Sequence, residues 1–166
     1  MELETSQILN IPLAKELKVR EQAKSNHLSF MSYCWKGMEK FTIGFHTKKI
    51  CKRIDKAFED YKNGISTYLS IAVHPRSGKS QIVSRYLPGH FIGQFPGREI
   101  ITCTYSKTQA NKFSKAAQLV MEHNAYKLLY EDVSLGSRAV GEWSAECPRG
   151  EMDSAVHAGS LYAGLT

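Results

Sequence analysis

The segment from Tyr68 to Tyr86 constrains this chain more than any other. A β-prone run, Tyr68 to Val73, leads into His74-Pro75-Arg76-Ser77-Gly78-Lys79-Ser80, after which Gln81 to Tyr86 reads as helix. A strand that turns into a helix through Gly-Lys-Ser is the arrangement that phosphate binding needs. Successive N–H groups of such a loop form an anion cradle, and the positive end of the helix dipole adds to it. Within Pro75, Arg76, Ser77, Gly78, Lys79 and Ser80, the lysine would reach the β- and γ-phosphates and the Ser80 hydroxyl would hold Mg²⁺. Gly78 lets the backbone approach where a Cβ would intrude. The full pattern, G-x-x-x-x-G-K-S/T, begins with a glycine where this chain has Val73, and an incidental strand–turn–helix is the alternative. Arg76 either lies along the phosphates and stabilises developing charge, or is a solvated loop arginine.

Around this segment the hydrophobic pattern alternates between helix and strand. Pro12 opens a short helix to Ser25, and the apolar stretch His27 to Trp35 gives a second. In Thr47 to Asn63, the residues Ile50, Ile54, Phe58 and Tyr61 share one helical face, and Asn63-Gly64 ends it. The opposite side carries Lys48, Lys49, Lys52, Arg53 and Lys56, either a solvated face or a surface for phosphate contacts. Tyr33 and Trp35 read as core aromatics, with base stacking the alternative. Pro88, Gly89, Gly93, Pro96 and Gly97 suggest a broken connection before a strand at Glu99 to Tyr105. Thr108 to His123 is the clearest helix, with Phe113, Ala116, Ala117, Val120 and Met121 on one face. Glu142 to Cys147 and Ser154 to Ser160 read as strands joined by a turn at Pro148-Arg149-Gly150. This order predicts an α/β domain with a parallel core.

Composition narrows the class. With 166 residues, 42% of them apolar, the chain is long enough for one core, and its net charge of +6 permits a polyanionic partner without demanding one. No run of 18 apolar residues occurs and the start is acidic, so neither a membrane span nor a secretory signal is expected. Cys34, Cys51, Cys103 and Cys147 form no CxxC pair, and the six histidines show no metal-ligand spacing. Reduced thiols are the expectation.

With the loop read, the words around it resemble the large terminase subunits of tailed phages, whose deviant Walker A often reads Pro-Arg-x-Gly-Lys-Ser without the first glycine. The likeness runs from Phe30 to Thr166: Phe30 to Trp35, Phe45-His46, Thr104-Tyr105-Ser106 with Ala110, Phe113 and Ser114, Ser137 to Trp143, and Ala163 to Thr166. The resemblance implies a P-loop NTPase (RecA-like) parallel sheet flanked by helices and incomplete at its C-terminal end. It divides the chain into a helical lead-in, 1–45, and an ATPase core, 46–166, cut before the Walker B strand, with the nuclease domain absent. It implies ATP and Mg²⁺ as cofactors, with Lys79 and Arg76 as catalytic groups and Ser80 as the metal ligand. The implied partners are double-stranded phage DNA, the portal protein and the small terminase subunit, in the cytoplasm of a bacterial host. An oligomer is open, and no membrane is involved. His46 would lie near the adenine. Thr104, Tyr105 and Ser106 would form a strand-end site, ordinary capping being the other reading.

A motor ATPase also needs an apolar strand ending in two acidic residues. Leu128-Leu129-Tyr130-Glu131-Asp132 imitates one but follows a helical run. The expectation is therefore the ATP-binding front part of a packaging motor that holds MgATP and hydrolyses it poorly. The alternatives are another P-loop NTPase, helicase-like or a small kinase, and a non-catalytic remnant or interaction protein.

Overall fold

A computed structural model describes residues 3–35, 43–139, 141–146 and 154–160. In chain order they form helices α1 (Leu3–Ser25), α2 (His27–Cys34) and α3 (Phe45–Lys62), then a π-helical stretch (Gln81–Tyr86) that continues into α4 (Leu87–Gln94). Strand β1 (Ile100–Thr104), helices α5 (Lys107–Glu122) and α6 (Asn124–Leu129), and strands β2 (Ser134–Leu135), β3 (Glu142–Glu146) and β4 (Ser154–Ser160) follow. Among these residues no helix is long and apolar enough to cross a membrane.

The architecture corrects the expected parallel sheet. The protein is mostly helical, and its short strands run in the order β1-β4-β3-β2. Only β1 with β4 is parallel; β3 pairs antiparallel with both β4 and β2. Among the described residues no RecA-like parallel sheet is present, because the strand expected to precede the loop does not form. Residues 65–74 carry no regular structure, and Tyr68 and Leu69 are exposed. High β propensity describes side chains that fit a pleated, half-buried surface; without a partner ladder it does not make a strand. Only Ile71 and Val73 of this segment pack against the core.

Other elements follow the pattern closely. Asn26 caps α2 by accepting from Ser29 N–H at 2.9 Å, and Ser106 caps α5 by accepting from Gln109 N–H at 3.2 Å. Helix α3 ends at Asn63, followed by Gly64 at φ 72°. Helix α1 starts well before Pro12, which lies inside it. The broken connection expected after Pro88 is instead helix α4. Gly93 fits there because a Cβ would strike the Tyr130 ring, so the glycine permits close packing and not a turn. The buried face of α5 centres on Ala110, Ser114, Ala117 and Met121, with Phe113 and Ala116 half-buried. Strands β3 and β4 pair as expected, while the Pro148–Gly150 turn lies outside the described residues.

The core gathers α2, α4, α5, α6 and the π-helical stretch around Phe30. Its ring stacks on His90 at 4.5 Å between centroids and meets Tyr86 and Tyr126 edge-on. Trp143 Nε1–H donates to Ser114 Oγ at 3.0 Å, fixing β3 to α5, and Tyr126 OH donates to the Gly89 carbonyl at 3.0 Å. Tyr33 is buried with its hydroxyl 2.7 Å from Glu16 Oε1, and Trp35 stacks on Tyr86. Both are therefore packing residues.

Two buried histidines cross this core. His27 Nε2–H donates to the Ile82 carbonyl at 3.0 Å, which leaves His27 Nδ1 to accept from His90 Nδ1–H, also at 3.0 Å. His90 Nε2 then faces the Lys24 carbonyl at 3.3 Å as a lone pair, and that carbonyl accepts from Gln94 Nε2–H. Burial drives both rings toward the neutral form, His27 down to about 4 and His90, beside His27, to about 3.

Candidate functional site: the loop from Val73 to Gln81

The loop is bent by two left-handed residues, Arg76 at φ 63° and Gly78 at φ 82°. That conformation suits glycine and costs an arginine of order 1–3 kcal/mol, so the surrounding structure must hold Arg76 in place. Ser77 lies between them. Its N–H donates to the His74 carbonyl at 3.3 Å, and its carbonyl accepts from His46 Nε2–H at 2.9 Å. The Ser77 hydroxyl is buried without a partner, and His74 Nδ1–H turns back to the Pro75 carbonyl at 3.0 Å.

Lys79 and Ser80 begin a helix that runs without a break through the π-helical stretch to Gln94. Its first backbone bond joins Ile82 N–H to the Gly78 carbonyl at 3.1 Å. The N–H groups of Lys79, Ser80 and Gln81 precede that bond and so have no carbonyl within the helix to donate to. Downstream, the same helix is anchored in the core through Ile82 and Tyr86, both buried.

The loop curls around a cavity of about 500 Å³ lined by Val73 through Gln81, which includes every residue expected at a phosphate site from Pro75 to Ser80. Lys79, Ser80 and Arg76 are exposed, and among the described residues no carboxylate lines this space. A second cavity of about 360 Å³ shares Val73 with it. Phe45, His46, Lys49, Ile50 and Arg53 of α3 form one wall and residues 69–73 the other. Phe45 is 80% exposed there, a large aromatic ring without cover.

Other expected site residues stand elsewhere. Ser106 is the α5 cap, Tyr105 is exposed, and Thr104 Oγ1 is buried without a partner; none of the three lines either cavity. Glu131 and Asp132 follow the end of α6 and line a different cavity with Arg20 and Lys24. Lys48, Lys49, Lys52, Arg53 and Lys56 of α3 are all exposed, and of these Lys56 comes within 4.0 Å of a carboxylate, that of Asp60. Cys34 and Cys51 are buried free thiols and Cys103 is an exposed one. Among the described residues no group of three His, Cys, Asp or Glu side chains could hold a metal ion.

The hydrogen bond from His46 to Ser77 was not legible in the sequence, where 31 residues separate the two. The signals for His46 were its position at the start of a helix and the resemblance, which implied a place near the adenine and not a bond to Ser77. Comparison of the chain with family models, with curated proteins and with solved structures yields no match.

Proposed function

We propose that the loop Pro75–Ser80 binds the phosphates of MgATP, and that the chain is the ATP-binding part of a phage large-terminase packaging motor. One observation carries the nucleotide reading: Arg76 and Gly78, both left-handed, bend the loop around a cavity at the start of a helix anchored in the core. Loop N–H groups and the helix terminus supply the anion site, Lys79 a mobile charge, and Ser80 Oγ a metal ligand. The neighbouring cavity offers the ring of Phe45 and the apolar side chains of Ile71 and Val73 to a base. Because the sequence offers no apolar strand ending in an acidic pair to activate water, this reading holds MgATP with little turnover. The assignment to a packaging motor rests on the motif resemblance. The exposed cations of α3 are the surface this reading offers to DNA phosphates.

Thermal unfolding with and without MgATP, for the wild type and Lys79→Ala, tests the reading. Ligand at a hundred times its dissociation constant adds about 2.7 kcal/mol, raising Tm by about 5 °C or more for a chain of this size. The expected result is a shift in the wild type that Lys79→Ala removes. No shift in either protein would leave the loop as an empty turn and the chain as a non-catalytic remnant.

A further inference from the structure

We infer that His46, at the start of α3, is a positioning residue that sets the direction of the loop's anion-binding N–H groups. The inference rests on the loop being the phosphate site.

Peptide planarity carries the argument. The carbonyl of Ser77 and the N–H of Gly78 belong to one trans peptide unit, so they point in opposite directions. His46 Nε2–H holds that carbonyl at 2.9 Å toward α3. The Gly78 N–H is thereby turned away from α3, and among the described residues no backbone carbonyl accepts from it. Rotating the Ser77–Gly78 peptide changes ψ of Ser77 and φ of Gly78, so it would undo the left-handed bend at Gly78. An imidazole fixed from outside the loop prevents that rotation without occupying the cavity.

Gly44 provides a second, independent observation. It precedes α3 as the cap residue, at φ −82° and ψ 172°, a conformation open to any residue. A Cβ at Gly44 would nevertheless lie 2.8 Å from Cε1 and 3.0 Å from Nδ1 of His46. The glycine is required by the ring and not by the backbone, since it leaves the space in which the imidazole lies flat against the chain and reaches Ser77. Gly44, His46 and Ser77 thus act as one device, with His46 itself exposed.

The test uses His46→Leu, which removes the donor, His46→Gln, which restores an N–H at similar reach, Gly44→Ala, and the Gly44→Ala/His46→Leu double variant. MgATP affinity is measured by calorimetry, and the Gly78 amide is followed by ¹H–¹⁵N NMR without ligand. One lost positioning hydrogen bond is expected to weaken MgATP binding about tenfold in His46→Leu. His46→Gln should recover most of it. Gly44→Ala should weaken binding alone and add nothing in the double variant, because its effect passes through the ring. In the free protein the Gly78 amide resonance should move in His46→Leu and return toward its wild-type position in His46→Gln. Unchanged MgATP affinity in His46→Leu, or additive effects in the double variant, would overturn the inference. If the wild type binds no MgATP, the nucleotide reading fails by itself. The amide then decides alone: a Gly78 signal that His46→Leu moves and His46→Gln restores upholds the link, and one that does not move overturns it.

Discussion

The helix from Lys79 to Gln94 has two ends that live in different surroundings. Its downstream half is packed among Phe30, Tyr126, Tyr130 and two buried histidines, with hydrogen bonds crossing between elements distant in sequence. Its upstream end emerges into a loop whose residues are exposed or half-buried, fed by a stretch without a backbone ladder. The difference teaches that the packed core and the proposed ligand site lie at opposite ends of one element. The core fixes where the helix begins, and the hydrogen bond from His46 to the Ser77 carbonyl helps hold the loop in which Arg76 is strained.

The most forceful way to break the core side is acid. His27 and His90 are held neutral in the fold, down to about 4 and about 3, whereas in the unfolded chain they take protons near the ordinary histidine value. The unfolded state therefore binds more protons below pH ~6.5, and stability is present above that pH and lost as pH falls toward 4. Denaturant titrations at pH 7 and pH 4.5 should differ by several kcal/mol, on the order of 5 for the pair. Asp55, whose carboxyl burial raises, works in the opposite sense and softens the loss, and Lys62 lowers His90 slightly. An unchanged midpoint would remove the histidine pair from the account. Phe30→Ala comes next: a fully buried ring at the centre of the aromatic cluster should cost about 4 kcal/mol in the same assay.

A smaller effect is expected from Trp143→Phe, which keeps an aromatic ring of smaller size and removes the N–H that donates to Ser114 Oγ. About 1–2 kcal/mol should be lost if this bond fixes β3 to α5. On the loop side the sign of the comparison reverses. Lys79→Ala and Tyr68→Ser, both at exposed positions, should move stability by less than about 0.5 kcal/mol, although the lysine removes the MgATP shift. A thiol reagent followed by peptide mapping sharpens the same contrast. Cys103 should react, while Cys34 and Cys51, buried and with thiols pushed up to about 12, stay protected until the chain unfolds.

Helices were legible where a single local signal sufficed. The Ile50–Ile54 face, the Asn63-Gly64 stop and the apolar face of Thr108 to His123 are short-range patterns, and their elements formed within a few residues of the expected limits. The two strands near the end were legible because alternation and a turn signal lay side by side. Tyr68–Val73 was misread because a strand is a property of a pair, and nothing local to that run reveals whether a partner exists. Leu87–Gln94 was misread for the converse reason. Its glycines answer to Tyr130 and other distant side chains, so a local rule took them for breakers. For the candidate site, the Gly78-Lys79-Ser80 motif could be named from the sequence as a proposal, whereas the His46 contact depends on how α3 folds back against the loop.

The ten residues before the loop have a mechanical consequence. Residues 65–74 form an extended tether fastened at its start, where Ile65 N–H donates to the Asp60 carbonyl at 2.9 Å and Thr67 Oγ1 bonds Asp60 Oδ2 at 3.3 Å. The other side of the loop is clamped to a rigid helix. Such a loop is a cantilever with one stiff mount and one compliant lead. An anion bound at the proposed phosphate loop would pass its displacement back along this lead, whose residues 69–73 also wall the second cavity and are held there by Ile71 and Val73 against the core.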